Sequence, residues 1–374
     1  MRALVIIDTI FAARERAMLS RLELGLADDG IRVVHAVPAG AAAKEEAASG
    51  AGQPVFASAV TYSDAAIPFS LGIRAQRLCA AVRRAEGLDD DEPVADIIHA
   101  WGGGTWAMAM ELGRLERAPM ILEVWRAGLV SRAATLSETK DQTRRLMLLS
   151  PDQAIDRALA AAGVAIPVRS APWGVFTPSA TRLPFDTDRP LSAMVIGSGQ
   201  DQGSFTAAIL GLADVVKERP DTLIFVDAEA AQRTKLWKAA NELGIVPNLT
   251  LIDQLEARRD LVLDGDLLIV PEARGEQRSI LLEAMAGGMI VVAAADPMVS
   301  SLQNGFTARL IGSSTGRAWG EGLLAILRDP RACRELAASA RSFVATQRQA
   351  SSQVRAVIEA YSAIARRQTI PIGR

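Results

Sequence analysis

Asp266–Asp296 reads DLLIVPEARGEQRSILLEAMAGGMIVVAAAD. Its two ends, Asp266–Val270 and Met289–Ala293, are near-continuous aliphatic runs, the pattern of strands buried on both faces of a parallel sheet. Between them Arg278–Ala286 has the length and composition of a helix, and Pro271 stops the first run. A strand, a helix and a second strand in this order predict a βα unit and a parallel sheet.

Outward from this stretch the same alternation fills the chain. Upstream in the same half, Ser192–Ile196, Thr222–Val226 and Leu249–Ile252 predict strands, with helices over Phe205–Arg219 and Ala230–Leu243. Three helical stretches follow, Arg317–Leu327, Arg331–Thr346 and Ser352–Arg366. In the first half the runs are Ala3–Ile7, Ile31–Val37, Val55–Tyr62, Ala95–Ala100, Met120–Val124 and Leu146–Leu149, with helices over Ala13–Ala27, Ile73–Glu86 and Thr105–Arg117. Ala39–Gln53, rich in Ala, Gly and Ser, reads as a mobile loop, and Leu88–Glu92 as an acidic turn. Periodicity stops where Pro167, Pro172, Pro178, Pro184 and Pro190 cluster, which sets the domain boundary. The expected fold is α/β, with two Rossmann-like doubly wound domains whose parallel sheets face a central cleft. Residues 1–175 form the N-terminal domain, 176–190 a linker, 191–350 the C-terminal domain, and 351–374 a terminal helix that packs back on the N-terminal domain. Ligands of such sheets sit where loops leave the carboxyl ends of the strands.

Composition narrows the function classes. The 374 residues are 49% hydrophobic, 22% charged and only 5% aromatic, a globular balance with an aliphatic core. A formal net charge of -2 gives no footprint for nucleic acid. Two cysteines, Cys79 and Cys333, and two histidines, His35 and His99, argue against a disulfide framework and a multi-histidine zinc site. MRALVIIDTIF is too short an apolar run for a signal peptide and is interrupted by Asp8, so it reads as the first strand. No run of 18 apolar residues predicts a transmembrane helix. The expected location is cytoplasmic, with peripheral membrane contact left open.

The Asp266–Asp296 stretch resembles the donor-binding segment of retaining GT-B glycosyltransferases of the group-one (family four) type. It shares a strand ending in Pro, a loop with a Glu, and L-L-E-A-M-A, then Gly and a second strand. NGFTARLI, Asn304–Ile311, is similar to that family's N-G-x-x-G-x-L turn with Ala308 in place of glycine, and ILRDPRACRELAASAR to its closing helices. ADIIHAWG, Ala95–Gly102, and the crossing from Leu148 to Pro178 extend the likeness over nearly the whole chain. The resemblance implies a hexosyltransferase-like enzyme that moves a sugar from a nucleotide sugar to an acceptor with retention. That acceptor would be a glycan, a lipid or a small molecule, with no cofactor and no metal requirement. Its alternative is a non-catalytic relative that binds a nucleotide, a glycan or a protein partner.

The resemblance also assigns residues. Glu283 in LLEAMA would accept hydrogen bonds from the nucleotide's ribose hydroxyls, as a carboxylate can do for two neighbours at once; otherwise it is a helix glutamate favoured by the dipole. The family's sugar-contacting glutamate falls at Gly275, with Glu276 next to it. Glu276 either reaches the sugar because Gly275 turns the loop differently, or is an exposed loop charge. The G-R-x-x-x-K-G loop that supplies cations to the leaving diphosphate reads Gly197-Ser198-Gly199-Gln200-Asp201-Gln202-Gly203. Ser198 and Gln202 fill both cationic positions without charge, while Gly197, Gly199 and Gly203 still permit close backbone approach to a phosphate. Arg274 and Arg278 are then the candidate replacement cations, and with Glu276 they form the expected catalytic group. On the acceptor side the family's histidine falls at Trp125, which can stack on a sugar but cannot relay a proton. Arg126 beside it and His99 on an earlier strand complete that side, although His99 also fits a packed core residue. Gly102-Gly103-Gly104 with Glu123 as ribose partner is a weak dinucleotide pattern, broken by Trp106 and Ala107.

Overall fold

The computed structural model describes residues 1–41, 56–64, 70–138, 145–180, 185 and 189–368. Most of the Ala39–Gln53 loop, Val55 and parts of the proline-rich linker lie outside the described residues. Contacts divide the chain into two units, Met1–Trp173 with Ala350–Arg374, and Gly174–Gln349.

The first unit is built on a parallel sheet in the order β3-β2-β1-β4-β5-β6-β7. The strands are β1 (Arg2–Ile7), β2 (Arg32–Pro38), β3 (Ala59–Tyr62), β4 (Ile97–Trp101), β5 (Met120–Glu123), β6 (Leu146–Ser150) and β7 (Val168–Ser170). β4, β5 and β6 are buried along their whole length, so both faces are covered by helices. β1 pairs with β2 on one side, Ala3 opposite Val33, and with β4 on the other, Ala3 opposite Ile97. The chain reverses its direction of travel across the sheet at β1, so the loops after β1 and β4 leave the same edge side by side.

The helix Ala350–Gln368 belongs to this unit. Val357, Ala360, Tyr361 and Ile364 are buried on it, at the three- and four-residue spacing of one stripe. It lies along the helix Arg16–Asp28. A Cβ placed on Gly25 would come within 2.5 Å of Val354, so the glycine lets the two helices approach closely.

The second unit repeats the plan. Its parallel sheet runs β10-β9-β8-β11-β12-β13, formed by β8 (Ser192–Val195), β9 (Leu223–Asp227), β10 (Leu249–Ile252), β11 (Leu267–Val270), β12 (Ile290–Ala294) and β13 (Arg309–Ile311). Here β8 and β11 are the neighbours at which the order reverses, with Leu267 opposite Ala193. Phe205, Ile209, Leu212 and Trp319 from two long helices fill one face over Val195, Ile224 and Ile269. Asp266, the residue before β11, accepts from the Ser192 backbone N–H and hydroxyl, both at 2.9 Å, and so anchors the start of the sheet.

Candidate functional site

In the second unit the chemistry-bearing residues gather where β8 and β11 end. Gly197–Asp201 leaves β8 and turns into the helix Gln202–Glu218, whose N-cap is Asp201. Gly199 has φ +67°, and a Cβ there would sit 2.8 Å from the Ala230 carbonyl oxygen, so the turn admits only glycine. Three of its N–H groups point at one neighbour, the side chain of Glu272 just beyond β11. That buried carboxylate accepts from the Ser198 N–H, from the Ser198 hydroxyl at 3.1 Å, from the Gly199 N–H at 3.2 Å and from the Asp201 N–H at 2.8 Å. Gln202 faces away, donating to the Arg233 carbonyl at 3.1 Å, while Arg233 donates to the Ser198 carbonyl from the loop's outer side. Gly203 is the second residue of the helix, and a Cβ there would stand 3.5 Å from the Asp201 carboxylate. Hydrogen bonds from Ser204 hold the Asp201 carboxyl below its ordinary range.

Beyond Glu272 the loop carries a charge chain. Arg274 donates to the Ser198 hydroxyl at 3.2 Å, to the Gln200 amide oxygen at 2.6 Å and to Glu276 at 3.3 Å. Glu276 is buried and also receives Arg278 at 3.1 Å, whose other branch reaches Glu256 at 3.2 Å. Burial works against the Arg278 charge, but Glu256 and Glu276 outweigh it and the guanidinium's pKa is raised. Gly275, at φ +63°, reverses the chain between the two arginines and donates to Asp296 at 2.6 Å. The space these side chains enclose with Val270, Ala294 and Leu302 is about 10 Å³, room for a single water molecule. Glu283, on the helix Ser279–Gly287, is buried 3.5 Å from the Arg259 guanidinium.

The first unit has a matching corner at β1 and β4. Asp8 caps the helix Thr9–Arg14 through Ile10 and Phe11 N–H groups at 3.1 and 3.0 Å, and accepts from Gly104 at 3.3 Å. Burial raises its pKa, against those hydrogen bonds and the nearby Arg126 charge. Trp125 is buried in an aromatic cluster, edge-on to Phe11 at 5.2 Å, and the Arg126 guanidinium lies over its ring at 5.2 Å. His99 lies deeper, fully buried, with Nδ1 2.9 Å from the Tyr361 hydroxyl and Nε2 3.7 Å from Glu123. Burial pushes His99 down to about 3 and Glu123 up to about 8. Glu123 accepts from the Trp173 indole at 2.9 Å and faces the core, so it is closed to any ribose. A cavity of about 860 Å³ also lies in this unit, lined by Trp106, Met110, Arg114, Arg132, Leu136 and Arg145. It runs along the helix Trp106–Glu116 from the loop after β4, where Arg132 donates to the Gly103 carbonyl, to Met120 and Arg145 at the starts of β5 and β6.

The structure thus brings Ser198, Gly199, Arg274, Gly275, Glu276 and Arg278 into one cluster around the β8 and β11 ends. It places Glu283 against Arg259, and sets His99 in the core of the other unit. Sequence reasoning missed Glu272, Arg233, Arg259 and Glu256. Of these only Glu272 carried a signal, as the residue directly after Pro271 at the carboxyl end of a switch-point strand. No group of three or more potential metal ligands occurs among the described residues.

A scan against family models and a search of curated proteins both return no match. Among solved structures the chain is similar to a sucrose-phosphate synthase from Thermosynechococcus elongatus, with a TM-score of 0.71 at 14% identity over 97% of this chain and 99% of that one. It is similar to Anabaena HepE in complex with UDP and glucose, with a TM-score of 0.69 at 14% identity over 96% and 99%. A UDP-GlcNAc 2-epimerase from Neisseria meningitidis bound to UDP-GlcNAc gives 0.63 at 11% identity over 97% and 100%. The fold is that of GT-B glycosyltransferases.

Proposed function

We propose that the chain binds a nucleotide-sugar donor in its second unit and transfers the sugar, with retention, in the manner of the group-one (family four) type. One observation carries this reading. Arg274 brings a guanidinium to the Ser198 hydroxyl and Gln200, on the loop whose two expected cationic positions, Ser198 and Gln202, hold none. Negative charge grows on the departing diphosphate, and a guanidinium poised there stabilises the transition state more than the ground state. The Ser198–Asp201 loop offers its N–H groups to the phosphates, Glu283 accepts from the ribose, and Glu276 meets the sugar on leaving its arginine partners. No metal is required, because Arg274 takes the cation's part. The acceptor is a glycan, a lipid or a small molecule. The complexes of HepE with UDP, glucose and UDP-glucose make uridine nucleotides the first donors to screen.

Donor hydrolysis and binding, measured on the purified protein over a panel of nucleotide sugars, test the reading. Arg274→Ala should lower turnover about a hundredfold, a larger loss than the one it causes in donor affinity. Binding without any hydrolysis or transfer would favour the second reading, a non-catalytic nucleotide or glycan binder. The ion pairs that hold Glu276 between Arg274 and Arg278 support that alternative. No binding at all would sink both.

A further inference from the structure

The loop after β8 is shaped to hold an anion, and it already holds one. Three backbone N–H groups and one hydroxyl converge on the Glu272 carboxylate. Successive N–H groups turned to one point form a concavity that suits phosphate and carboxylate alike. Glu272 is 5% exposed, so its charge is stabilised by these dipoles rather than by water. A Cβ on Gly197 would stand 2.7 Å from the same carboxylate, which shows how closely the side chain is seated. Arg274, two residues further on, reaches round to the Ser198 hydroxyl, so a cation stands at the rim of an already filled cradle.

We propose that Glu272 is an internal ligand of the Ser198–Asp201 loop, and that a diphosphate enters this loop only when the carboxylate withdraws. Two anions cannot share one set of donors in a water-poor pocket, so the chain's own carboxylate and the ligand's phosphates compete for the same N–H groups. Glu272 then sets specificity. A neutral or singly charged ligand gains too little to displace it, whereas a diphosphate gains both the vacated N–H groups and Arg274. The proposal deepens the donor-binding reading above and rests on it for the identity of the anion.

The experiment compares wild type, Glu272→Ser and Glu272→Gln by isothermal titration with inorganic diphosphate at fixed ionic strength, each checked for folding by its thermal transition. Both variants should bind diphosphate at least about tenfold more tightly than wild type. Adding Arg274→Ala to Glu272→Ser should remove most of that gain. Equal affinity in wild type and both variants overturns the proposal. Loss of folding in both variants overturns it too, since the carboxylate would then be a structural strut. Titrating the same samples with UDP-glucose separates this idea from the functional reading. A gain in diphosphate affinity with no nucleotide-sugar binding keeps the internal ligand and rejects the donor. Nucleotide-sugar binding that is identical in all three proteins does the reverse.

Discussion

A carboxyl group shut away from water keeps its proton to a higher pH than one on the surface, and an imidazole so placed loses its proton at a lower one. Glu123 and His99 sit 3.7 Å apart in that condition. Glu123 is pushed from 4.5 to about 8, so between those values the folded chain holds a proton that the unfolded chain has released, and stability falls as pH rises. His99 is pushed from 6.5 to about 3, so stability falls as pH drops through that window. The two slopes oppose one another between 4.5 and 6.5, and above 6.5 only the glutamate's remains. The stability of the first unit should therefore drop from pH 6.5 to 8, by up to about 1.4 kcal/mol per pH unit, and its melting temperature should fall with it. In Glu123→Gln that alkaline drop should vanish while the acid limb stays; a variant that keeps it would refute the assignment. Glu283→Ala should weaken uridine-nucleotide binding by roughly 1–3 kcal/mol, and unchanged affinity would remove Glu283 from the site. Gly102→Ala should destabilise the first unit, because φ is +94° and the new Cβ would meet the Asp8 carboxylate at 2.0 Å. The backbone alone contributes about 1–3 kcal/mol of that loss, which denaturant unfolding would register. At this scale much of the site could not be read from sequence. The partners of Glu272 lie more than seventy positions away, and Arg259 beside Glu283 and Glu256 beside Arg278 lie more than twenty, distances that only the paired strands make short.

Elements buried on every side were legible because their composition has no other use. β11 is a solid aliphatic run, β6 nearly so and β4 wholly buried, and the helix Ser279–Gly287 is recognisable from LLEAMA. Missed elements include the helices Gly128–Ser137 and Gln153–Ala161 and two strands with no such signature. β7 is exposed along its length, and β13 lies within a stretch read as a turn; both are edge strands of three residues whose existence depends on a neighbour to pair with. Helix starts were blurred for another reason. Asp8, Asp152, Asp201, Asp227 and Asp329 all cap helices through backbone N–H groups, and an isolated aspartate before an apolar run was not read as a start signal. The terminal helix shows how an apolar stripe gains a polar task. Its Tyr361 sits in the buried row and bonds His99 across 262 positions of sequence. Tyr361→Phe should keep the packing yet cost about 1–3 kcal/mol, the loss expected when a buried ring nitrogen is left without a partner. A melting temperature equal to wild type would show that the bond is dispensable.

Across the molecule the same solution occurs twice. Each unit folds around a parallel sheet whose order reverses at an inner pair, β1 with β4 and β8 with β11, and in each a carboxylate from one strand end is held by loop N–H groups, Asp8 in the first and Glu272 in the second. Removing residues 350–374 strips the first unit of Val357, Tyr361 and Ile364, all buried, while the second unit loses none of its own residues. The truncated chain should unfold in two steps, with the first unit's transition lowered and the second's unchanged; a single transition at the original temperature would contradict the division. The return of the terminal helix also orders events in time. During synthesis the second unit has its full complement of residues once position 349 has left the ribosome, but the first, begun earlier, must wait for the helix from Ala350 onward to emerge. Until then His99 lacks its tyrosine and the helix Arg16–Asp28 its cover, so the half made first is the half finished last. Nascent chains stalled before residue 350 should accordingly present that apolar face to chaperones, and chains released at full length should not.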